Sequence, residues 1–257
     1  MSEPPYPIHA ADWALFLDLD GTLAEIAPNP DAVHLPPAIV ACLERVQAHL
    51  GGALALVSGR PMDAIDRLTA PARFPVAGIH GAEWRDVDGR AHRVPLDPAM
   101  LDRARRAFGT FAAEHPGTWA EDKGIALGLH YRAAPSAGDA AAAMADRAAA
   151  EIGPSVAVLR GKMIVELRAR DATKAHAVDR YLEAPPFAGR RPVYLGDDVT
   201  DEDAFRAVNA RDGISVRVGD GGAGDGTAAR YRLPSVPAVH AWLVALERHL
   251  DAADATA

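Results

Sequence analysis

Five short runs in this chain read as strands: residues 13–17, 53–57, 76–79, 193–195 and 214–218. Several are apolar throughout. A strand with one wet face alternates, whereas a strand apolar at every position is covered on both faces, the habit of parallel sheets. Amphipathic helical patterns fall between these runs, at 37–50, 61–68, 173–182 and 201–209. Strand and helix in alternation predict a doubly wound, Rossmann-like α/β layer structure with a parallel sheet.

The middle of the chain breaks that pattern. A hairpin-like RDVDGRAHRV turns at Asp88–Gly89. A helical pattern follows at 100–115, with Leu101, Ala104, Phe108 and Phe111 on one face. Strand patterns come next at 119–123 and 125–132, an alanine-rich helix at 137–152, and strands at 156–160 and 163–167. The order αββαββ predicts a small α+β domain with an antiparallel sheet, inserted into the α/β core. The expected division is core 1–97, insertion 98–171 and core 172–257. The stretch GDGGAGDG at 219–226 reads as a flexible loop.

The chain has 257 residues, of which 49% are hydrophobic and 24% charged, enough for ample core. A net charge of −8 argues against a broad nucleic-acid surface, because phosphate backbones attract basic patches. The single cysteine, Cys42, excludes an internal disulfide framework and fits a reducing compartment. It lies in the helical pattern PAIVACLERVQAHL, which predicts a buried structural thiol rather than a nucleophile. The opening MSEPPYPIHAADW lacks the basic and apolar regions of a signal peptide, and no apolar run reaches membrane-span length. A cytoplasmic location, with neither membrane nor nucleic acid as partner, is expected.

Four stretches carry candidate chemistry. In LFLDLDGTL (15–23), Asp18 and Asp20 are two apart at the end of a buried strand and point the same way. Gly21 permits a sharp turn, and ligands of α/β sheets bind at the carboxyl ends of strands. Asp20–Gly21 is also ordinary turn chemistry. In LALVSGR (54–60), Ser58 and the backbone N–H groups after it can hold a phosphate oxygen at a helix N-terminus; Ser–Gly is equally a common cap and turn. Lys174 opens a helix in RARDATKAHAV, where a lone lysine is usually solvated. In LGDDVTDEDAF (195–205), five of the seven residues from Asp197 to Asp203 are acidic. That is either a solvated loop or a cation site. Asp197 follows its apolar run as Asp18 follows the first one. On neighbouring strands their ends would lie roughly 5 Å apart, a spacing that suits a hard divalent ion with oxygen ligands.

Taken in order, DLDGT, Ser58, Lys174 and GDDVTD resemble the four motifs of the haloacid dehalogenase superfamily of phosphatases, and the insertion resembles its α+β cap. The likeness narrows further. GIHGAEWR (78–85), WAEDKGIALGLHYR (119–132), GKMIVELR (161–168), DGTLAEIAPNPDA and the closing SVRVG…YRL…WL are similar to trehalose-6-phosphate phosphatases over nearly the whole chain. Two departures are Ala175, where that family commonly has glycine, and the extended loop at 219–226.

The resemblance implies a Mg²⁺-dependent hydrolase of trehalose biosynthesis that converts trehalose 6-phosphate to trehalose and phosphate. In that scheme Asp18 is the nucleophile and forms an aspartyl-phosphate. Asp20 is the general acid and base. Ser58 and Lys174 bind the phosphoryl group. Mg²⁺ is held by the Asp18 carboxylate, the Asp20 backbone carbonyl and Asp197, while Asp198 and Asp201 order metal waters or Lys174. The implied substrate-binding set is Gly21, Thr22, Gly59, Arg60, His80 and Gly81 in the core, and Glu121, Lys123, His130, Arg132, Lys162 and Glu166 in the cap. The resemblance allows a trehalose-6-phosphate synthase partner, and a monomer is expected.

The cap can also be read from its pattern. Ile125, Leu127, Leu129 and Tyr131 alternate with Ala126, Gly128, His130 and Arg132, and Met163, Val165 and Leu167 with Lys162, Ile164 and Glu166. Each strand has an apolar face and a face of polar or small residues. The pattern alone does not separate a sugar-binding face from an ordinary wet one. A phosphatase of another sugar phosphate, such as a sucrose or glyceryl-sugar phosphate, would keep the core motifs and change these residues. A non-catalytic sugar-phosphate-binding regulatory module would lose a nucleophile or metal carboxylate, and Asp18, Asp20, Lys174 and Asp197 are all present.

Overall fold

The computed structural model describes residues 2–27, 29, 32–94, 97–161, 163–220 and 226–254. The chain divides into two units, Met1–His92 with Thr173–Ala257, and Arg93–Ala172.

The first unit opens with β1 (Trp13–Leu17), α1 (Pro37–His49), β2 (Leu54–Val57), α2 (Met62–Thr69) and β3 (Val76–Gly78). A hairpin follows, β4 (Glu83–Arg85) and β5 (Ala91–Arg93). Every residue of β1, β2 and β3 is buried, as strands covered on both faces require.

The second unit runs α3 (Pro98–Glu114), β6 (Trp119–Asp122), β7 (Leu127–His130), α4 (Gly138–Ile152), β8 (Val156–Gly161) and β9 (Ile164–Ala169), the predicted αββαββ order. Its sheet is antiparallel throughout, in the order β6-β7-β9-β8. Phe108 and Phe111 of α3 and Ala141, Ala145 and Ala148 of α4 pack with Leu127, Leu129, Val165 and Leu167 from the sheet. Opposite residues in register then define the other face: Trp119 with His130 and Ile164, and Glu121 with Gly128 and Glu166.

Two boundaries differ from the pattern reading. The strand expected at 125–132 is confined to β7, so Tyr131 and Arg132 lie beyond it. Met163, expected on the apolar face of a strand, sits in the turn before β9 with φ 65°, and is exposed. A left-handed residue cannot continue the pleat.

The chain returns to the first unit with α5 (Lys174–Leu182), β10 (Arg191–Gly196), α6 (Glu202–Asn209), β11 (Ile214–Val218), β12 (Tyr231–Leu233) and α7 (Val236–Asp254). The sheet has eight strands in the order β12-β11-β10-β1-β2-β3-β4-β5. Strands β12 to β3 in that order pair in parallel, and β4 pairs antiparallel with β3. Neither β12 nor α7 was among the elements predicted above. Val239, Trp242, Leu243, Leu246 and Leu250 of α7 are buried at helical spacing. The Arg45–Glu247 ion pair, and His49 Nε2 at 2.9 Å from Asp251 Oδ1, join α7 to α1. Cys42 is buried in the core of this unit, and its thiol is pushed up to about 12 by burial and by Glu247, which denies it nucleophilic character at neutral pH. No helix among the described residues is long and apolar enough to cross a membrane.

Candidate active site

The site begins with strand order. β1 and β10 are neighbours, with Leu17 beside Leu195, and the Asp18 N–H donates to Leu195 O at 3.0 Å. Parallel pairing therefore delivers Asp18 and Asp197 to the same end of the sheet. After Asp18 the chain closes a tight turn in which the N–H groups of Leu23 and Ala24 donate to Leu19 O. Thr22 is fully buried in this turn, and Gly21 has φ 81°. A Cβ on Gly21 would fall 2.1 Å from Asp197 Oδ2. Glycine is thus required twice over, by its backbone angle and by the carboxylate against it.

Lys174 is not solvated. Thr173 caps α5, its Oγ1 accepting from the His176 N–H at 3.1 Å, and the Lys174 side chain turns inward. Its Nζ donates to Asp18 Oδ1 at 2.8 Å and to Asp201 Oδ1 at 2.6 Å. Burial opposes the ammonium, but the charges and hydrogen bonds of Asp18 and Asp201 outweigh it and raise its pKa.

Asp201 is wholly buried. Its Oδ1 also accepts from Tyr194 Oη at 2.6 Å, and its Oδ2 accepts the N–H groups of Asp197 at 3.1 Å and Asp198 at 3.0 Å. A carboxylate offers about four lone-pair positions, and these four donors use them. Asp201 therefore clamps the acidic loop to Lys174 and β10. Asp198 is half-buried in the loop, and its carbonyl accepts the Asp201 N–H. Glu202 and Asp203 open α6, where negative charge favours the helix dipole. Glu202 also accepts the Ala228 N–H at 2.7 Å, tying α6 to the segment before β12.

Carboxylate oxygens of Asp18, Asp197 and Asp201 lie within 4.8 Å of one another. Burial raises the Asp18 carboxyl well above the usual range, with help from Asp201 and Asp197 and against the pull of Lys174. Burial and the Asp201 charge push Asp197 up to about 7. One lysine does not offset three carboxylates, and such an arrangement of oxygen donors is compatible with a metal ion.

The neighbouring strands supply the rest of the core group. Ser58 is buried at the end of β2, and its Oγ accepts the Arg60 N–H at 3.1 Å. Arg60 grips Asp20 by two bonds, Nε to Oδ2 and Nη2 to Oδ1, each 2.7 Å. After β3, Ile79 and His80 both have left-handed backbones, φ 49° and 56°. Consecutive positive φ values in non-glycine residues are sterically costly. They are held by Ile79 N–H to Arg60 O and His80 N–H to Ser58 O, both 2.9 Å. A Cβ on Gly59 would lie 2.8 Å from the His80 ring, so a larger residue there would force that ring to move. Gly81 completes the turn with φ 99°.

In the second unit, Lys123 Nζ lies 3.0 Å from Glu166 Oε2 and 3.9 Å from Glu121 Oε2, and His130 Nε2 is 2.8 Å from the same Glu121 oxygen. The four form one polar cluster on the sheet face away from that unit's core. Arg132 lies in the turn after β7, and Lys162 falls outside the described residues.

The profile of the trehalose-phosphatase family matches residues 16–237. The chain belongs to the trehalose-phosphatase family. It is 44% identical over 245 residues to the trehalose-6-phosphate phosphatase of Escherichia coli K12, covering 95% of this chain and 90% of that one. Its fold is shared with the C-terminal domain of the trehalose-6-phosphate phosphatase of C. albicans, at 22% identity, a TM-score of 0.78 and 93% coverage of each chain. It is shared also with a haloacid dehalogenase-like hydrolase from B. subtilis, at 14% identity, a TM-score of 0.65 and coverage of 91% and 99%.

Within this trehalose-phosphatase framework, three side chains have roles that their sequence context does not mark. Tyr194 stands inside the apolar run RPVYLG and reads as packing. Glu83 accepts the Met62 N–H at 2.6 Å and so caps α2, which begins after a proline that can offer no cap of its own; nothing local marks it. Trp119 resembles any aromatic at the start of a strand, yet its ring lies 3.8 Å from that of His130 and nearly parallel to it.

Proposed function

We propose that this chain hydrolyses trehalose 6-phosphate to trehalose and phosphate in trehalose biosynthesis, with Asp18 as nucleophile. The observation that carries the reading is the buried Asp18–Lys174–Asp201 chain beside Asp197, in a member of the trehalose-phosphatase family.

An Asp18 carboxylate oxygen attacks phosphorus, the bond to the sugar oxygen breaks, and the phosphoryl group rests on Asp18. Lys174 stabilises charge on the phosphoryl oxygens and fixes the attacking carboxylate. Ser58 Oγ and the N–H groups of the loop after it bind the same group. Asp20 gives its proton to the leaving sugar oxygen, then takes one from the water that attacks the aspartyl-phosphate. Arg60 holds both Asp20 oxygens and so fixes the carboxyl group, while each oxygen keeps a second lone pair for the proton transfers. Mg²⁺, when bound, lowers the barrier by neutralising charge on the transferring group. Asp18, Asp197 and the Asp20 carbonyl are the groups proposed to hold it, because the lone pairs of Asp201 are already taken. Asp201 and Asp198 then set the loop and Lys174.

Gly21, Thr22, Gly59, Arg60, His80 and Gly81 shape the phosphate end of the substrate site in this proposal. Glu121, Lys123, His130, Arg132, Lys162 and Glu166 of the α+β cap recognise the sugar hydroxyls. The acid–base cluster of four of these supports that role, since it offers both donors and acceptors on one face. A cytoplasmic location is part of the same reading, supported by one buried free thiol. A monomeric state and a synthase partner are tested by light scattering of the chain alone and with a synthase.

Phosphate release from trehalose 6-phosphate, measured with and without Mg²⁺, tests the proposal. Turnover should require the ion. Across a panel of sugar phosphates, trehalose 6-phosphate should give the highest kcat/KM. A preference for sucrose or glyceryl-sugar phosphate would move the substrate assignment and leave the core chemistry in place.

A further inference from the structure

We propose that Trp119 is a specificity-determining residue whose indole ring forms an apolar platform for a glucose unit of the substrate. The inference rests on the reading that the polar face of the second unit binds the sugar. Trp119 is 48% exposed. It belongs to the edge strand β6 and lies on the face turned away from the core formed by Phe108, Leu129 and Leu167, so packing does not account for it. Leaving a large aromatic in water forgoes the gain of burying it.

The ring is also held in place before any ligand arrives. His130, opposite Trp119 in register, stacks on the indole at 3.8 Å with 3° between planes, and the imidazole is fixed in turn by Glu121. An aromatic with one face backed and its geometry set loses little entropy on binding. A pyranose presents a C–H face and a rim of hydroxyls. The indole suits the first, and Glu121, Lys123 and Glu166 beside it suit the second. An indole flanked by His130 and Ile164 and bordered by Glu121, Lys123 and Glu166 is a small target for a protein partner, whereas it matches a single sugar ring.

Trp119→Ala, Trp119→Phe and Glu166→Ala test this by steady-state kinetics on trehalose 6-phosphate and on acetyl phosphate, which carries no ring. Trp119→Ala should raise KM for trehalose 6-phosphate by roughly three- to twentyfold, with a much smaller change in kcat. Turnover of acetyl phosphate should change far less. Trp119→Phe should restore most of the affinity. Trehalose should quench the tryptophan fluorescence of the unmodified chain and should quench that of Trp119→Phe much less. An unchanged KM, or equal losses on both substrates with a lowered Tm, would overturn the platform. Loss of selectivity in Glu166→Ala alone would leave the sugar-binding face standing and remove Trp119 from it. Unchanged selectivity in both variants would remove the face and the platform together.

Discussion

Asp201 shows how much depends on a residue that need not touch substrate. Four donors converge on its two oxygens, and two of them are the backbone N–H groups of Asp197 and Asp198. Its sequence neighbours carry the same charge, and composition cannot tell them apart; turn geometry does. Tyr194→Phe removes one of the four donors. It should cost about 1–2 kcal/mol in urea unfolding, because a buried carboxylate loses a short bond, and should lower kcat by letting Lys174 shift. Gly21→Ala is the harsher change. Its Cβ would strike the Asp197 carboxylate, and alanine resists φ 81°. A stability loss of roughly 1–3 kcal/mol and a large fall in Mg²⁺ affinity by calorimetry are expected.

At the scale of elements, strand ends and helix starts deliver these side chains. Lys174 reaches Asp18 because Thr173 fixes the first turn of α5. Thr173→Ala should cost about 1 kcal/mol and reduce kcat, whereas Thr173→Ser should be nearly neutral in both chemical unfolding and turnover. The apolar runs that became β1, β2 and β10 were legible because parallel strands covered on both faces leave an unbroken hydrophobic signature. β12, three residues long, carries no such signal. The face of the second sheet was legible as a period of two, but Met163 was misplaced because nothing in its apolar character announces a left-handed turn. Arg60 illustrates the same limit at the site: its motif was visible, while its grip on Asp20 depends on two strand ends being adjacent.

The whole molecule stores like charge at one end of its sheet, and its stability should report this. In the folded chain burial, reinforced by Asp201, puts the Asp197 carboxyl at about 7, and burial raises Asp18 as well. An unfolded aspartate titrates near 4, an order-of-magnitude reference. Between those values the folded state binds more protons than the unfolded one. The contribution of these groups is therefore present at acid pH and is lost as pH rises through about 7 in metal-free protein. A divalent ion held by these carboxylates, as proposed, would compete with those protons. Mg²⁺ should raise Tm by roughly 3–6 °C at pH 8 and by under about 1 °C at pH 5.5. An equal shift at both pH values would place the ion elsewhere.

Each of these effects has Asp18 at its centre, as the carboxylate that Lys174 holds and that is proposed to take the phosphoryl group. Asp18→Asn keeps the shape of the side chain and removes its nucleophilic charge. Phosphate release from trehalose 6-phosphate by purified Asp18→Asn, with saturating Mg²⁺ and a Tm confirming the fold, is the most direct measurement. A fall of about a thousandfold or more is predicted, on the scale of lost nucleophiles. Turnover within a few-fold of the unmodified chain would contradict the account.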